Sequence, residues 1–398
     1  MATTGGYFLS EFNDFTEGTG PTYVTGPDSL VNEAVNNTYY LGRMMQGDVN
    51  ATKTIQGGAD IRESIVFRDN GTFEFYPPGA SHSWKNPQRL QKIRAYWRFS
   101  MAHMSWLDQE ILLNDKIGYG TEEVRFQQYV DLRNEKEMLM WTAKWNGMES
   151  ALWAEPDKAL MEGEGDGFLN PYSVPAFINA DTDGLFARQA SGTWTTVEGI
   201  DPTATATAGR FTPQILTYDS ATLNDDGNPL SMFSELWQDV MFEQPSMHKQ
   251  YWENPTLNKQ MILTTKVGVK AIEVLLRGGN TGGYVAGAQD AAYADPLYRG
   301  IPVARVSQLE SATLYNDGAA GNTTEALADL KGPRFYMMNG NYLYPVFHRD
   351  RYFTKQEVTR SHDVPDTWVC PVATWYNVIC TSRQRQGILS PSADLYYA

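Results

Sequence analysis

The stretch from Thr121 to Ala154 constrains the fold of this chain more than any other. Its apolar residues recur at intervals close to three and four, which predicts one amphipathic helix with an apolar stripe about 120° wide. Thr121 is a suitable N-cap, and Pro156 ends the helix because proline disfavours helical geometry in the residue before it. At 1.5 Å per residue, such a helix would be roughly 50 Å long. We therefore expect it to support an elongated molecule.

The two faces of this predicted helix differ in chemistry. The stripe that should be buried consists of Phe126, Val130, Met138, Trp141, Trp145, Met148 and Leu152. The face that should meet solvent consists of Arg125, Gln128, Asp131, Arg133, Glu135, Lys136 and Lys144.

Composition excludes several classes of protein. The 398 residues are 42% hydrophobic, which is enough for two or three domains. A net charge of −15 argues against a nucleic-acid-binding enzyme and against adhesion to an anionic membrane. No apolar run is long enough to span a bilayer, and the N-terminus lacks the features of a signal peptide. Cys370 and Cys380 are expected to be buried structural thiols of an intracellular protein.

Residues 1–50 are predicted to be an arm that precedes the first domain. Up to Asp48 they contain six acidic residues and a single basic one, Arg43. Such a segment cannot bury much of itself, and composition alone is equally consistent with a disordered tail. Its scattered aromatic residues could instead anchor it on a neighbouring molecule.

Residues 51–118 are predicted to form a long β-hairpin. Two short alternating runs, within Ile61–Tyr76, are separated by the turn signal Asp69-Asn70-Gly71. From Leu90 towards Leu113 the pattern has period two and predicts a long strand, with a helix as the rival interpretation. The segment from Phe75 to Leu107 contains five basic residues and no acidic one. A basic hairpin and an acidic arm suggest contact between copies of the chain, although ordinary solvated charge is an equal alternative.

The remaining elements are shorter. We expect loop at 162–179, an alanine- and threonine-rich linker at 201–209, and a glycine-rich loop at 278–287. Helices are predicted at 230–242 and 267–277, and a strand at 261–265. Further strands are predicted to follow a turn at Tyr298–Val303 and within Phe335–Met338, Tyr342–Phe347, Trp368–Pro371 and Val378–Thr381.

Motifs that carry chemistry are absent from the sequence. There is no phosphate-binding loop, no nucleophile elbow and no zinc-protease motif, and the five histidines are scattered. Asn179–Gly184 resembles the start of a calcium loop, but Ala190 stands where a bidentate glutamate is needed. We therefore predict that the chain is not an enzyme and holds no cofactor or metal.

The order of these parts resembles the major capsid proteins of tailed phages, whose Hong Kong 97-type fold is shared with encapsulins. In that α+β fold, an N-terminal arm precedes an extended β-hairpin loop, a long spine helix, a peripheral domain and an inserted axial domain. Gly300-Ile301-Pro302-Val303 resembles a strand entry common in these proteins. The resemblance implies an arm at 1–50, an extended loop at 51–118, a peripheral domain at 119–260 with its spine helix at 121–154, an axial domain at 261–365, and a return to the peripheral domain at 366–398.

The resemblance implies assembly rather than catalysis. Copies would form the hexamers and pentamers of an icosahedral head that encloses double-stranded DNA without reading its sequence. Expected partners are further copies, a scaffolding protein, a portal and possible decoration proteins, with no membrane. The location would be the virion, after assembly in the bacterial cytoplasm. Alternatives are an encapsulin-like compartment with protein cargo, and a β-rich carbohydrate-active enzyme with two carboxylates near tryptophans.

Two groups of residues are predicted to contact other copies. The residues of the arm and of the extended loop are Phe8, Phe12, Phe15, Tyr23, Arg62, Phe73, Phe75, Lys85, Arg89, Lys92, Arg94 and Arg98. The residues of the loop expected at the centre of a capsomer are Gly278, Gly279, Gly282 and Gly283.

Overall fold

The structure is a computed structural model that describes somewhat more than half of the chain. The described residues are 39–45, 53–67, 75, 77–78, 90–108, 122–154, 161, 169–178, 196–204, 207, 209–218, 229–240, 260–278, 297–298, 301–310, 334–362, 364 and 366–391. Most of the predicted arm, the tip of the predicted hairpin and residues 279–296 therefore lie outside the described residues.

Helices and strands both contribute to the fold, as the sequence predicted. The α-helices are α1 (Tyr39–Met45), α2 (Glu122–Leu152), α3 (Val174–Ile178), α4 (Pro229–Val240) and α5 (Lys266–Gly278). The strands before α5 are β1 (Lys53–Ile55), β2 (Asp60–Val66), β3 (Leu90–Tyr96), β4 (Arg98–Leu107), β5 (Gln214–Tyr218) and β6 (Gln260–Thr264). The later strands are β7 (Leu297–Tyr298), β8 (Ile301–Arg305), β9 (Phe335–Asn339), β10 (Leu343–His348), β11 (Thr354–Lys355), β12 (Thr359–Arg360), β13 (Thr367–Cys380) and β14 (Gly387–Pro391).

The chain divides into two compact units. One unit contains residues 1–36, 100–147 and 351–374, and the other contains residues 37–99, 148–350 and 375–398. We call them the small unit and the large unit. Each is described by itself below.

The large unit is built on a six-stranded sheet with the order β5-β14-β9-β6-β8-β7. Every residue of β6 and β9 is buried, and α4 and α5 contribute side chains to the same apolar cluster. The cluster joins Phe233 and Leu236 of α4 to Ile262, Phe335 and Leu389 of the sheet. Two of its strands, β5 and β14, come from outside residues 261–365, the range predicted for an axial domain.

The sheet and α4 approach each other closely at Gly387. A Cβ atom at this position would lie 2.6 Å from Cγ2 of Val240 and 2.7 Å from Cδ1 of Leu236. Glycine therefore allows β14 to pack directly against α4, since any side chain would have to displace two buried neighbours.

The ribbon, which we define as the antiparallel pair β2–β3, forms a separate two-stranded sheet in the large unit. Its register runs from Asp60 opposite Tyr96 to Val66 opposite Leu90. The long strand predicted from Leu90 is confirmed up to Leu107, with a break at Trp97 between β3 and β4. The rival interpretation as a helix is wrong.

The small unit packs the middle of α2 against β4, β11, β12 and the first half of β13. Its apolar cluster contains Met104 and Trp106 of β4, Met140 of α2, and Cys370 and Val372 of β13. Cys370 is a buried free thiol, as predicted, and Cys380 is a buried free thiol of the large unit.

Helix α2 confirms the predicted helix, but the buried face is rotated from the predicted stripe. Met148 and Leu152 are buried as predicted, whereas Trp141 and Trp145 are only half-buried. Lys144, which was predicted to face solvent, is 5% exposed. Phe126 and Val130 fall outside the residues whose side chains are described.

Lys144 is accommodated because it finds partners inside the small unit. Its ammonium donates to the carbonyl oxygen of Val372 at 3.0 Å and lies 5.6 Å from the centre of the Phe353 ring. Trp145 packs on the same ring, with 5.3 Å between the two ring centres. Burial lowers the pKa of Lys144 to about 8.

Three further predictions were wrong. Two short strands predicted around residues 368–381 are one continuous strand, β13. Asn377 does not interrupt it, because its side chain accepts from the amide of Tyr172 at 2.9 Å and donates to the carbonyl of Tyr96 at 2.7 Å. The predicted loop at 162–179 contains the fully buried helix α3. The predicted linker contains a folded turn in which the amide of Thr203 donates to Asp201 at 2.8 Å.

Candidate assembly surface

The ribbon exposes one face and buries the other. On the inner face, Ile61, Ile93 and Ala95 are buried. The outer face alternates with it and carries Arg62, Ser64, Val66, Leu90, Lys92 and Arg94, all of them exposed. Strand geometry explains this pattern, since successive side chains of a strand point to opposite faces. The outer face is therefore a continuous surface available for contact.

Charge is concentrated near the root of the ribbon. Asp60 accepts from Arg62 Nε at 2.7 Å and also pairs with Arg94. The guanidinium of Arg62, followed by that of Arg94, outweighs desolvation and holds the pKa of Asp60 below its usual range. Two guanidinium groups face one carboxylate here, so the root of the ribbon is basic. Lys92 lies on the same face but opposite Ser64, closer to the far end.

The far end of the ribbon is apolar. Val66 and Leu90 lie directly opposite each other and are 60% and 67% exposed. Phe75, which lies in the segment joining the two strands, is 88% exposed. The adjacent, exposed pair Val66 and Leu90 is an apolar surface of the kind that protein–protein contacts cover.

Arg98 lies inside the large unit, which corrects the prediction that it contacts another copy from the surface. It is 3% exposed. Its guanidinium donates to the carbonyl oxygens of Met161 and Asn170, at 2.6 and 3.1 Å. Arg98 therefore links β4 to neighbouring segments of the large unit.

A tight turn at 197–200 supports the root of the ribbon. Val197 and Ile200 exchange two backbone hydrogen bonds, and the carbonyl of Glu198 accepts from the amide of Arg94 at 2.9 Å. Glu198 has a φ of 53°, a left-handed conformation that is uncommon outside glycine. Sequence patterns gave no sign of this contact.

The side chain of Glu198 is fully buried and holds the end of β13. One carboxyl oxygen accepts from the amide of Cys380 at 3.1 Å, while the other has no hydrogen-bond partner among the described residues. Burial raises the pKa of Glu198 well above its usual range, and the nearby Arg383 opposes this shift. A neutral carboxyl group is thus favoured at the point where the ribbon meets β13.

Helix α1 fixes the point from which the predicted arm departs. Tyr40, Leu41 and Met44 are buried, and the carboxylate of Glu149 accepts from the amides of Tyr40 and Leu41 at 3.3 and 2.9 Å. Trp153 Nε1 donates to the same carboxylate at 3.0 Å. Residues 39–45, which belong to the predicted arm, thus pack within the large unit.

Several residues predicted to lie in contact sites cannot be placed. Those outside the described residues are Phe8, Phe12, Phe15, Tyr23, Phe73, Lys85, Arg89, Gly279, Gly282 and Gly283. Gly278 is the last residue of α5. The structure does bring Arg62, Lys92 and Arg94 together on the outer face of the ribbon, with Phe75 in the segment between its strands.

Within the part of the chain that the structure describes, no cluster of three or more potential metal ligands occurs. No helix among the same residues is long and apolar enough to cross a membrane. Among the described residues, the two most deeply buried carboxylates, Glu149 and Glu198, are engaged in holding α1 and β13.

No family model and no curated protein matches the sequence. Among solved structures, the capsid of Cyanophage A-1(L) matches with a TM-score of 0.54 and 12% identity, covering 92% of this chain and 96% of that one. The chain has the fold of phage capsid proteins. The capsid of an empty GTA particle also matches, with a TM-score of 0.48, 11% identity and 98% of both chains covered.

The phage capsid fold confirms the predicted fold class. At 12% identity the match cannot come from close similarity of sequence, so it reflects the arrangement of helices and strands along almost the whole chain. The predicted order of hairpin, long helix and later strands is the order that the structure contains.

Proposed function

We propose that this chain is a major capsid protein that assembles into the hexamers and pentamers of an icosahedral phage head enclosing double-stranded DNA. The observation that carries the proposal is the phage capsid fold over nearly the full chain. The location would be the virion, after assembly in the cytoplasm of a host bacterium. Shell assembly and the enclosure of DNA do not require an active site.

The ribbon supports this proposal at the level of residues. Its outer face combines basic side chains near the root with the exposed pair Val66 and Leu90 at the far end. A two-stranded sheet with one exposed face gains little stability by itself, so a neighbouring copy is a natural partner for that face. We propose that four of the residues predicted from the sequence to contact other copies do so: Arg62, Lys92, Arg94 and Phe75.

The charge of the chain suits an inner surface that faces DNA without binding it tightly. At a net charge of −15, the average interaction with phosphates is repulsive. The proposed partners are further copies, a scaffolding protein during assembly, a portal and decoration proteins. The proposed arm at 1–50 and the glycine-rich loop at 278–287 would supply additional contacts between copies.

The test is expression of the full chain, alone and with a scaffolding protein from the same source, followed by electron microscopy. We expect closed icosahedral shells of uniform size. A monodisperse monomer or small oligomer that persists with the scaffold would contradict the proposal. Shells purified from infected cells should contain double-stranded DNA, whereas shells filled with one protein species would indicate a cargo compartment instead.

A further inference from the structure

A polar pocket of about 510 Å³ opens beside β2 in the large unit. Its walls come from β2, from Arg210, from the turn between β9 and β10, and from the segment that joins β13 to β14. Sites for small molecules usually have volumes of about 300–1,000 Å³. Because most of the lining side chains are polar, the pocket suits a small hydrophilic ligand.

Three side chains in the lining are not used by the fold. Asn341, Ser382 and Gln384 are half-buried, and their side chains form no hydrogen bond with the described residues. Ser382, for example, makes no capping hydrogen bond to the short turn that it precedes. Polar groups that are partly withdrawn from solvent normally have a partner in the protein or in water. Since all three line one pocket, they can bind the same ligand.

The pocket is positively charged, although the whole chain has a net charge of −15. Arg210 and Arg385 line it, and Glu63 is the only acidic residue of its lining among the described residues. The Glu63 carboxylate pairs with Lys53 and accepts from the hydroxyl of Tyr344 at 3.0 Å, so its negative charge is compensated. The pocket therefore favours an anion.

Arg210 is oriented for this role by the end of β2. Its Nη1 donates to the carbonyl oxygen of Phe67 at 2.9 Å, which uses one of the five N–H donors of the guanidinium group. Arg210 forms no ion pair with the described residues. A guanidinium group held in this way can bind two oxygens of a phosphate through its other donors.

The shape of the donor set distinguishes between anions. The amides of Asn341 and Gln384 and the hydroxyl of Ser382 add three neutral donors to the guanidinium group of Arg210. A tetrahedral oxyanion accepts hydrogen bonds at each of its oxygens, which project in different directions. It can therefore use more of these donors at once than a planar carboxylate, which has two oxygens.

We propose that this pocket binds a phosphate group, held by Arg210 together with Asn341, Ser382 and Gln384. Free inorganic phosphate and the phosphodiester backbone of a nucleic acid share this chemistry. All the lining residues belong to the large unit of one chain, so the site does not depend on the proposed assembly into shells.

Isothermal titration calorimetry of the full chain with inorganic phosphate, at constant ionic strength set by sodium chloride, tests the proposal. We expect one saturable site per chain and weaker binding of acetate. Arg210→Gln should raise the Kd for phosphate roughly tenfold, as expected for the loss of a charge-assisted hydrogen bond. Lys270→Gln is the matched control, because it removes an exposed positive charge of α5 outside the pocket, and it should change the Kd less than about twofold.

Two further variants separate phosphate binding from the support that Arg210 gives to β2. Ser382→Ala and Gln384→Ala leave the contact between Arg210 and Phe67 intact, and each should raise the Kd about threefold. The absence of saturable phosphate binding would overturn the proposal. So would equal binding of acetate, or an equal loss of affinity in Arg210→Gln and Lys270→Gln.

A short single-stranded oligonucleotide of thymidylates distinguishes the two sources of phosphate. If it competes with inorganic phosphate and loses affinity in Arg210→Gln, the site binds a nucleic-acid backbone. If inorganic phosphate binds and the oligonucleotide does not, the site is specific for free phosphate. Failure of both probes to bind would overturn the phosphate site and leave the proposed capsid function standing, since shell formation is measured separately.

Discussion

The central sheet and the ribbon of the large unit use strands in opposite ways. Strands β6 and β9 are buried along their whole length and are covered by α4 and α5. Strands β2 and β3 bury only Ile61, Ile93 and Ala95 on one face and leave a basic and apolar face exposed. The difference indicates that the sheet obtains its stability within one copy, whereas the ribbon is positioned for contact with another molecule.

The largest expected effect comes from making the same substitution in both regions. Leu389→Ala should lower the free energy of unfolding by about 2–5 kcal/mol, because it leaves a cavity in a buried cluster. Leu90→Ala, on the exposed face of the ribbon, should change it by less than about 0.5 kcal/mol. Urea denaturation of unassembled protein measures both. Equal losses would remove the distinction between the two regions.

A second prediction concerns Glu198, which connects the ribbon to β13. Since its folded-state pKa is raised, the folded protein retains a proton that the unfolded chain releases near the ordinary value of 4.5. Its contribution to stability is fully present below that pH and declines as the pH rises, by up to about 1.4 kcal/mol per unit. Glu198→Gln should flatten this decline and increase stability at pH 7.

The control for this measurement is Glu235→Gln, on the exposed face of α4. It should leave the decline between pH 5 and 7 unchanged, since its side chain does not enter the core. If Glu198→Gln retained the wild-type pH dependence, Glu198 would not be the group that titrates at the root of the ribbon.

Lys144 should make a smaller contribution to the pH dependence of stability, with a sign opposite to that of Glu198. Its pKa falls from 10.5 to about 8 on folding, so the folded protein releases this proton before the unfolded chain does. Stability should therefore rise with pH between about 8 and 10.5. Lys144→Met should abolish that rise and, after allowance for solvent screening, stabilise the protein by about 1 kcal/mol at pH 7.

The matched control for Lys144 is Lys270→Met on the exposed side of α5. Thermal unfolding at pH 7, 8.5 and 10 compares the two variants. A destabilised Lys144→Met protein at pH 7 would show that the contacts with Val372 and Phe353 outweigh the cost of burying the charge.

The smallest expected change in subunit stability is at the far end of the ribbon. Val66→Asp and Leu90→Asp should each alter the free energy of unfolding by less than about 0.5 kcal/mol, since both side chains are exposed. The same variants should greatly reduce the number of closed shells seen by electron microscopy. If the variant carrying both substitutions formed shells normally, the far end of the ribbon would not be required for assembly.

The sequence was most informative where a pattern repeats over many residues. Helix α2 and the strands from Leu90 to Leu107 were predicted because their periods of 3.6 and two persist over several turns or pairs. The basic character of the hairpin and its exposed residues Arg62, Lys92 and Arg94 were also predicted. These features depend on local geometry, which neighbouring residues determine.

The tertiary structure decided the features that depend on distant residues. Lys144 is buried because Val372 and Phe353 provide a carbonyl and a ring, and Asn377 continues β13 because Tyr96 and Tyr172 satisfy its amide. Arg98 is buried inside the large unit because the carbonyl of Met161 accepts a hydrogen bond from its guanidinium group. A polar side chain can be buried only when its hydrogen bonds are satisfied, and no local pattern reveals partners that lie more than fifty residues away.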